Sequence, residues 1–222
     1  MQAEMASVRT DLHSWLGLTA SSSKLSTHLS SLTSSAADYE PEIKAYPDAV
    51  YYNYYPLGLS LVFSPVVTSY KVKTGTKRAE LKENLLKLTT IDVYNHEAYL
   101  QPASATNANS SVNTTRGKSK YEPFPCHPIV IVCPTDSENE EDKQRFLHVT
   151  PATLGRDFVT ALGEPDRKGG GEGSMGIWTE WTGQGTMVEY ASGGLQAWEK
   201  GGTATWRTLT IFEAGVSVST AD

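Results

Sequence analysis

The chain has 222 residues and a formal net charge of −6, with 39% apolar and 20% charged residues, the makeup of an ordinary globular protein large enough to bury a sizeable core. No run reaches the roughly 18 apolar residues that a membrane-crossing helix requires. An acidic chain also lacks the clustered Lys and Arg from which affinity for phosphate backbones comes, so nucleic acid is excluded from the expected partners.

The opening residues, MQAEMASVRTDLHSW, show no basic stretch followed by an apolar one; no secretory signal is expected, and the expected location is cytoplasmic. Val8, Leu12, Trp15 and Leu16 then fall at i, i+4, i+7 and i+8, one stripe of an amphipathic helix that Gly17 can end. A second helix is expected after Ser21, Ser22 and Ser23, with Leu25, Leu29 and Leu32 on one side. From Ala49 the pattern changes to strands: VYYNYY, a turn at Pro56-Leu57-Gly58, and LSLVF form a hairpin. Residues 66–80 read as a linker, and LTTIDVYN as a third strand.

Residues 101–120 are small and polar and predict a mobile loop. The following PCHPIVIVCP is β-branched and bounded by prolines, as a buried strand is. Its two cysteines, Cys126 and Cys133, stand about 23 Å apart in extended chain at about 3.3 Å per residue, beyond disulfide reach, so both are expected as thiols. TDSENEEDKQR is an acidic surface turn. A third helix runs from Thr150-Pro151 through Leu154, Phe158, Ala161 and Leu162 to Gly163. After the glycine-rich DRKGGGEGSMG come three more strands, IWTEW, TMVEY and WRTLTIFE.

The two halves match in order. Leu12 to Gly17 parallels Phe158 to Gly163, Tyr51–Tyr55 parallels Ile177–Trp181, Leu57–Phe63 parallels Gln184–Tyr190, and Leu88–Tyr94 parallels Trp206–Phe212. Each half reads helix, strand, strand, strand. A unit of about 60 residues buries only about 60% of its chain surface, which favours two units packed together. The expected fold is α+β: two pseudo-repeated αβββ units, residues 1–100 and 149–222, with antiparallel sheets and helices on one face. Residues 101–148 join them with the loop and a connecting strand, and the whole forms one cooperative domain.

The segments VYYNYYPLGLSLVF, LTTIDVYN and TPATLGRDFVTALGEPDRK resemble the eukaryotic phagosome assembly factor family, in which an aromatic-Asn-Tyr strand precedes Leu-Gly and a strand ending in Phe. The order of a helix, Leu-Gly-x-Pro and three strands is also similar to the αβββ module of the bacterial outer-membrane assembly lipoprotein BamE. The likeness covers about half of the chain. It implies a non-enzymatic adaptor that binds other proteins, in autophagy or vesicle trafficking, with at most peripheral membrane contact through a partner.

Candidate chemistry is sparse. Lys168-Gly-Gly-Gly-Glu-Gly173 is glycine-rich but follows a helix stop and precedes a strand, the reverse of a phosphate loop, and reads as a connector. Asp92 with His96 offers a carboxylate and an imidazole for acid–base work, yet with no nucleophile in the motif a surface polar cluster explains the pair equally well. Cys126-His127 lacks further ligands at zinc spacing, so no metal and no cofactor are expected. The alternative to an adaptor is a small hydrolase or isomerase with a pocket between the repeats. For the adaptor, strand alternation with Glu180 taken as the solvent side places Trp178 and Met187 outward, and the repeat alignment adds Tyr52 and Tyr54. The candidate binding strip is therefore Tyr52, Tyr54, Trp178, Glu180 and Met187. The alternative burial of that strip, between the repeats or under the 101–120 loop, stays open.

Overall fold

The strand-forming segments are rich in Val, Ile, Tyr, Phe and Trp, whose branched or flat side chains pack well on a pleated surface. The computed structural model describes residues 10–33, 40–95, 98, 119–134, 145–171, 176–192 and 197–216. In it the strands are β1 (Glu42–Ala45), β2 (Val50–Tyr54), β3 (Leu59–Pro65), β4 (Leu86–Tyr94), β5 (Ile129–Val132), β6 (Phe146–Val149), β7 (Arg167–Gly169), β8 (Trp178–Trp181), β9 (Thr186–Tyr190) and β10 (Trp206–Phe212). Eight of them form one sheet in the order β1-β2-β3-β4-β10-β9-β8-β7, and β5 pairs with β6 in a separate ribbon. Every pairing is antiparallel. The helices are short: α1 (Ser23–Leu32), α2 (Gly155–Leu162) and α3 (Ala197–Lys200). None among the described residues is long and apolar enough to cross a membrane.

This corrects the expectation of two αβββ units with helices on one face. The sheet is continuous because β4 and β10, expected as the last strands of separate units, pair with each other at its centre. Two edge strands that carry no hydrophobic period, β1 and β7, extend it on either side to four strands per half. The helical stripe expected from Val8 to Leu16 is a three-residue 3-10 turn, His13–Trp15, with Val8 outside the described residues. The reason is competition for backbone partners: Thr10 bridges to Ile129 of β5, while Gly17, Leu18 and Ala20 exchange hydrogen bonds with Leu86 and Leu88 along the free stretch of β4. Extended segments on both sides leave room for one turn only.

The sheet has one apolar face. Val50, Tyr52 and Tyr54 of β2, Leu59, Leu61 and Phe63 of β3, Ile91 and Val93 of β4, Leu209 and Ile211 of β10, and Val188 of β9 are all buried on it. One contiguous core joins them to Leu12 and Trp15, to Leu25, Leu29 and Leu32 of α1, to Ile129, Ile131 and Val149 of the ribbon, and to Phe158 and Leu162 of α2. Full burial of each such side chain is worth about 1.5–3 kcal/mol, so the two halves are held by a shared core. Both cysteines are free, Cys133 buried and Cys126 partly so. The loop expected at 101–120 falls, up to residue 118, outside the described residues, as does most of the acidic turn.

On the opposite face one row crosses all eight strands: Glu42, Asn53, Ser60, Asp92, Thr210, Met187, Glu180 and Arg167 are successive cross-strand neighbours. Its midpoint is the Asp92–Thr210 pair. Around it Val93 faces Leu209 and Ile91 faces Ile211, so the halves meet about a local two-fold axis.

Candidate functional site

The structure divides the five residues of the expected strip between the two faces. Tyr52 and Tyr54 are 1% and 4% exposed in the core. Trp178 and Met187 are half-buried on the polar face, and Glu180 between them is fully buried. The strip is therefore not a continuous surface. Its error is one residue of register. Gly58 and Gly185 adopt matching left-handed conformations (φ 58°, ψ 33° and φ 56°, ψ 42°) after equivalent 3-10 turns. Counting back from them pairs Tyr54 with Trp181, and so Tyr52 with Thr179 rather than with Trp178. A slip of one residue moves every side chain to the other face.

The buried polar groups of the second face are satisfied by one another. Glu180 receives a hydrogen bond from the Thr182 hydroxyl at 2.9 Å and pairs with Arg167 at 3.3 Å. Asn53 accepts from Ser60 at 2.9 Å and from the Tyr121 hydroxyl at 2.8 Å. The Thr210 hydroxyl donates to Asp92 at 2.7 Å. His96, the expected partner of Asp92, lies outside the described residues. His127 lies near Val149 O, with its Nδ1 at 3.3 Å, and packs edge-on against Phe124 and Trp206. No cluster of three or more metal-ligating side chains occurs among the described residues.

A concave, apolar and accessible surface forms elsewhere, between α2, α3 and the edge strand β7. Gly155 at the start of α2 sits so close to Gly201 that a Cβ would come within 2.2 Å of its carbonyl oxygen, and its N–H bonds Ala204 O at 3.0 Å. That contact fixes α2 against the turn following α3. Between them opens a groove of about 170 Å³ whose lining includes Val159, Pro165, Lys168, Ile177, Tyr190 and Trp198. The floor is buried: Ile177 is 1% and Tyr190 2% exposed. The Tyr190 hydroxyl lies 2.8 Å from the Thr179 hydroxyl, and burial pushes its pKa up to about 12 despite that bond, so it remains a neutral phenol. The walls are exposed, Val159 at 36% and Trp198 at 45%.

The described part of the glycine-rich connector borders this groove. Gly171 has φ +95°, and a Cβ there would meet Ile177 at 3.1 Å and the Trp198 ring nitrogen at 3.4 Å; glycine alone takes that conformation without strain and leaves the indole its place. The ammonium of Lys168 stands 5.9 Å from the center of the Trp198 ring, a cation–π distance. Next to it Arg167 stands 5.8 Å over Trp178. Sequence reasoning passed over Trp198 because no hydrophobic period contains it. Its one signal is a large aromatic among charged and glycine residues, Ala197-Trp-Glu-Lys-Gly-Gly.

No protein-family model, no curated protein and no solved structure matches the chain.

Proposed function

We propose that the chain is a non-enzymatic protein-binding module that holds a short extended segment of a partner protein in the groove between α2, α3 and β7. The observation that carries this reading is the pair Val159 and Trp198, exposed apolar walls over a buried floor of Ile177 and Tyr190. Tryptophan in such a setting is the residue type most often found to anchor an interface, and surface concavities lined this way mark contact sites. Lys168 and Glu164 also line the groove, and neither takes part in an ion pair among the described residues. A segment with one apolar anchor between charged residues complements all of these groups. In the setting implied by the family resemblance, such a partner belongs to autophagy or vesicle trafficking.

Selection of displayed random peptides on the full chain tests the reading, with Trp198→Ala as the counter-target. Enriched peptides should share an apolar anchor flanked by charges. They should bind the variant at least about 30-fold more weakly, the equivalent of about 2 kcal/mol for an interface anchor, while the half-exposed position leaves the melting temperature unchanged. The absence of any enriched peptide sensitive to Trp198 would refute the groove as the contact site.

A further inference from the structure

A second cavity, of about 290 Å³, is lined by groups of opposite charge that do not pair with each other, and we propose that it binds a free α-amino acid with an aliphatic side chain. The cavity exists because two chain segments abut along one edge of β4. β10 accompanies β4 as far as the pair Phe212 and Thr90. Beyond it the segment after the first 3-10 turn takes over, with Gly17 donating to Leu88 O at 2.9 Å and Leu88 donating to Leu18 O at 2.8 Å. Between these points Thr89 is an extra residue against β3, since Val62 faces Thr90 and Phe63 faces Leu88, a bulge that bends the strand and opens the edge.

His13, Leu16, Lys87, Leu88, Thr89 and Glu213 line the gap. Lys87 is half-buried, and its Cε lies 3.4 Å from where a side chain on Gly17 would begin, so its stem is laid along that glycine. Neither Lys87 nor Glu213 forms an ion pair among the described residues. His13 approaches Gln184 O with Nε2 at 2.9 Å; a carbonyl only accepts, so Nε2 is the donor. This bond ties the first 3-10 turn to the β8–β9 turn and closes one side of the cavity with the other half of the sheet.

A carboxylate against Lys87, an ammonium against the exposed Glu213 and an aliphatic side chain against Leu16 engage each kind of group present. A ligand with one charge leaves the other wall unmatched. One terminus of a longer peptide carries only one of the two charges, so the complementary molecule is a small single zwitterion. The volume sits at the lower end of ligand pockets, about 300 Å³ and above, which suits a ligand of one-residue size.

Calorimetric titration of the full chain with leucine, N-acetyl-leucine and leucinamide decides the matter. Leucine should bind, and each blocked analogue should bind at least about tenfold more weakly through loss of one charged contact. In Lys87→Met, leucine and leucinamide should become equivalent; in Glu213→Gln, leucine and N-acetyl-leucine should. Absence of leucine binding at millimolar concentration overturns the proposal, as does equal binding of all three ligands or binding of one analogue as tightly as leucine. Because the three-ligand comparison is made on the unaltered chain, the result stands even where a variant fails to fold.

Discussion

Asp92 is the residue at which the two halves of the sheet meet their own equivalents, and it is a carboxyl in a poor place for charge. Burial pushes its pKa up from 3.8 to about 6, with Glu189 adding to the rise and the Thr210 hydroxyl opposing it. The folded chain thus holds this proton over a pH range in which the unfolded chain has lost it, so stability falls as pH rises from about 4 to about 6 and the deficit is complete above that window. Asp92→Asn keeps an oxygen to accept from Thr210 and removes the charge. It should raise stability at pH 7.5 by on the order of 1–3 kcal/mol and change it little at pH 4; denaturant unfolding at the two pH values measures this, and an equal effect at both would show that the charge is not the cause. His28, stacked on Trp15 at 5.1 Å, works in the opposite direction. Burial, then Lys24, lowers its pKa, so its contribution is present in full above the usual value of 6.5 and is lost as pH falls below it. Neither effect was legible in the sequence, where Asp92 reads as a member of a polar cluster with His96 and no local pattern shows the burial that shifts it.

At the scale of elements, β2, β3, β4, β8, β9 and β10 were legible because each carries its apolar and aromatic residues locally. β1, β6 and β7 were not. Glu42-Ile-Lys-Ala, Phe146-Leu-His-Val and Arg167-Lys-Gly hold no strand pattern of their own, and they form because neighboring strands present backbone groups that must be paired. The same demand converted the expected first helix into a turn between two extended segments. The hairpin turns show how strongly an element depends on single positions. A Cβ on Gly58 would come within 2.3 Å of Glu122 O, and one on Gly185 within 2.1 Å of Phe212 O, both at left-handed φ, whereas Gly183 has nothing within 4 Å. Gly58→Ala and Gly185→Ala should each cost about 1–3 kcal/mol, and Gly183→Ala less than about 1 kcal/mol. Thermal melts of the three variants make the comparison, and similar losses in all three would mean that the close approaches are not what holds these turns.

For the molecule as a whole, the order of the three inner strands of each half came from the sequence, while the fourth, outer strand of each half and the joining of the halves into one sheet did not, because a pairing such as β4 with β10 leaves no local trace in either strand. The groove was hidden for the same reason: Val159, Lys168, Ile177 and Trp198 belong to four segments that only the fold brings together. The outer edges of the sheet carry a further meaning. β1 has four residues, including Glu42 and Lys44, and β7 has three, including Arg167 and Lys168. The edge strand of an antiparallel sheet is a template on which identical molecules can add laterally, and short charged margins are the usual defence. Glu42→Val combined with Lys44→Val makes one margin apolar along its whole length. That variant should scatter light progressively at concentrations where the parent stays clear, and electron microscopy should show filaments; a clear, monodisperse solution after the same time would mean that the charges do not guard this edge. The two salt-bridged residues of β1, Glu42 and Lys44 at 3.6 Å, then contribute little to the stability of the folded chain and act instead against strand pairing at this margin.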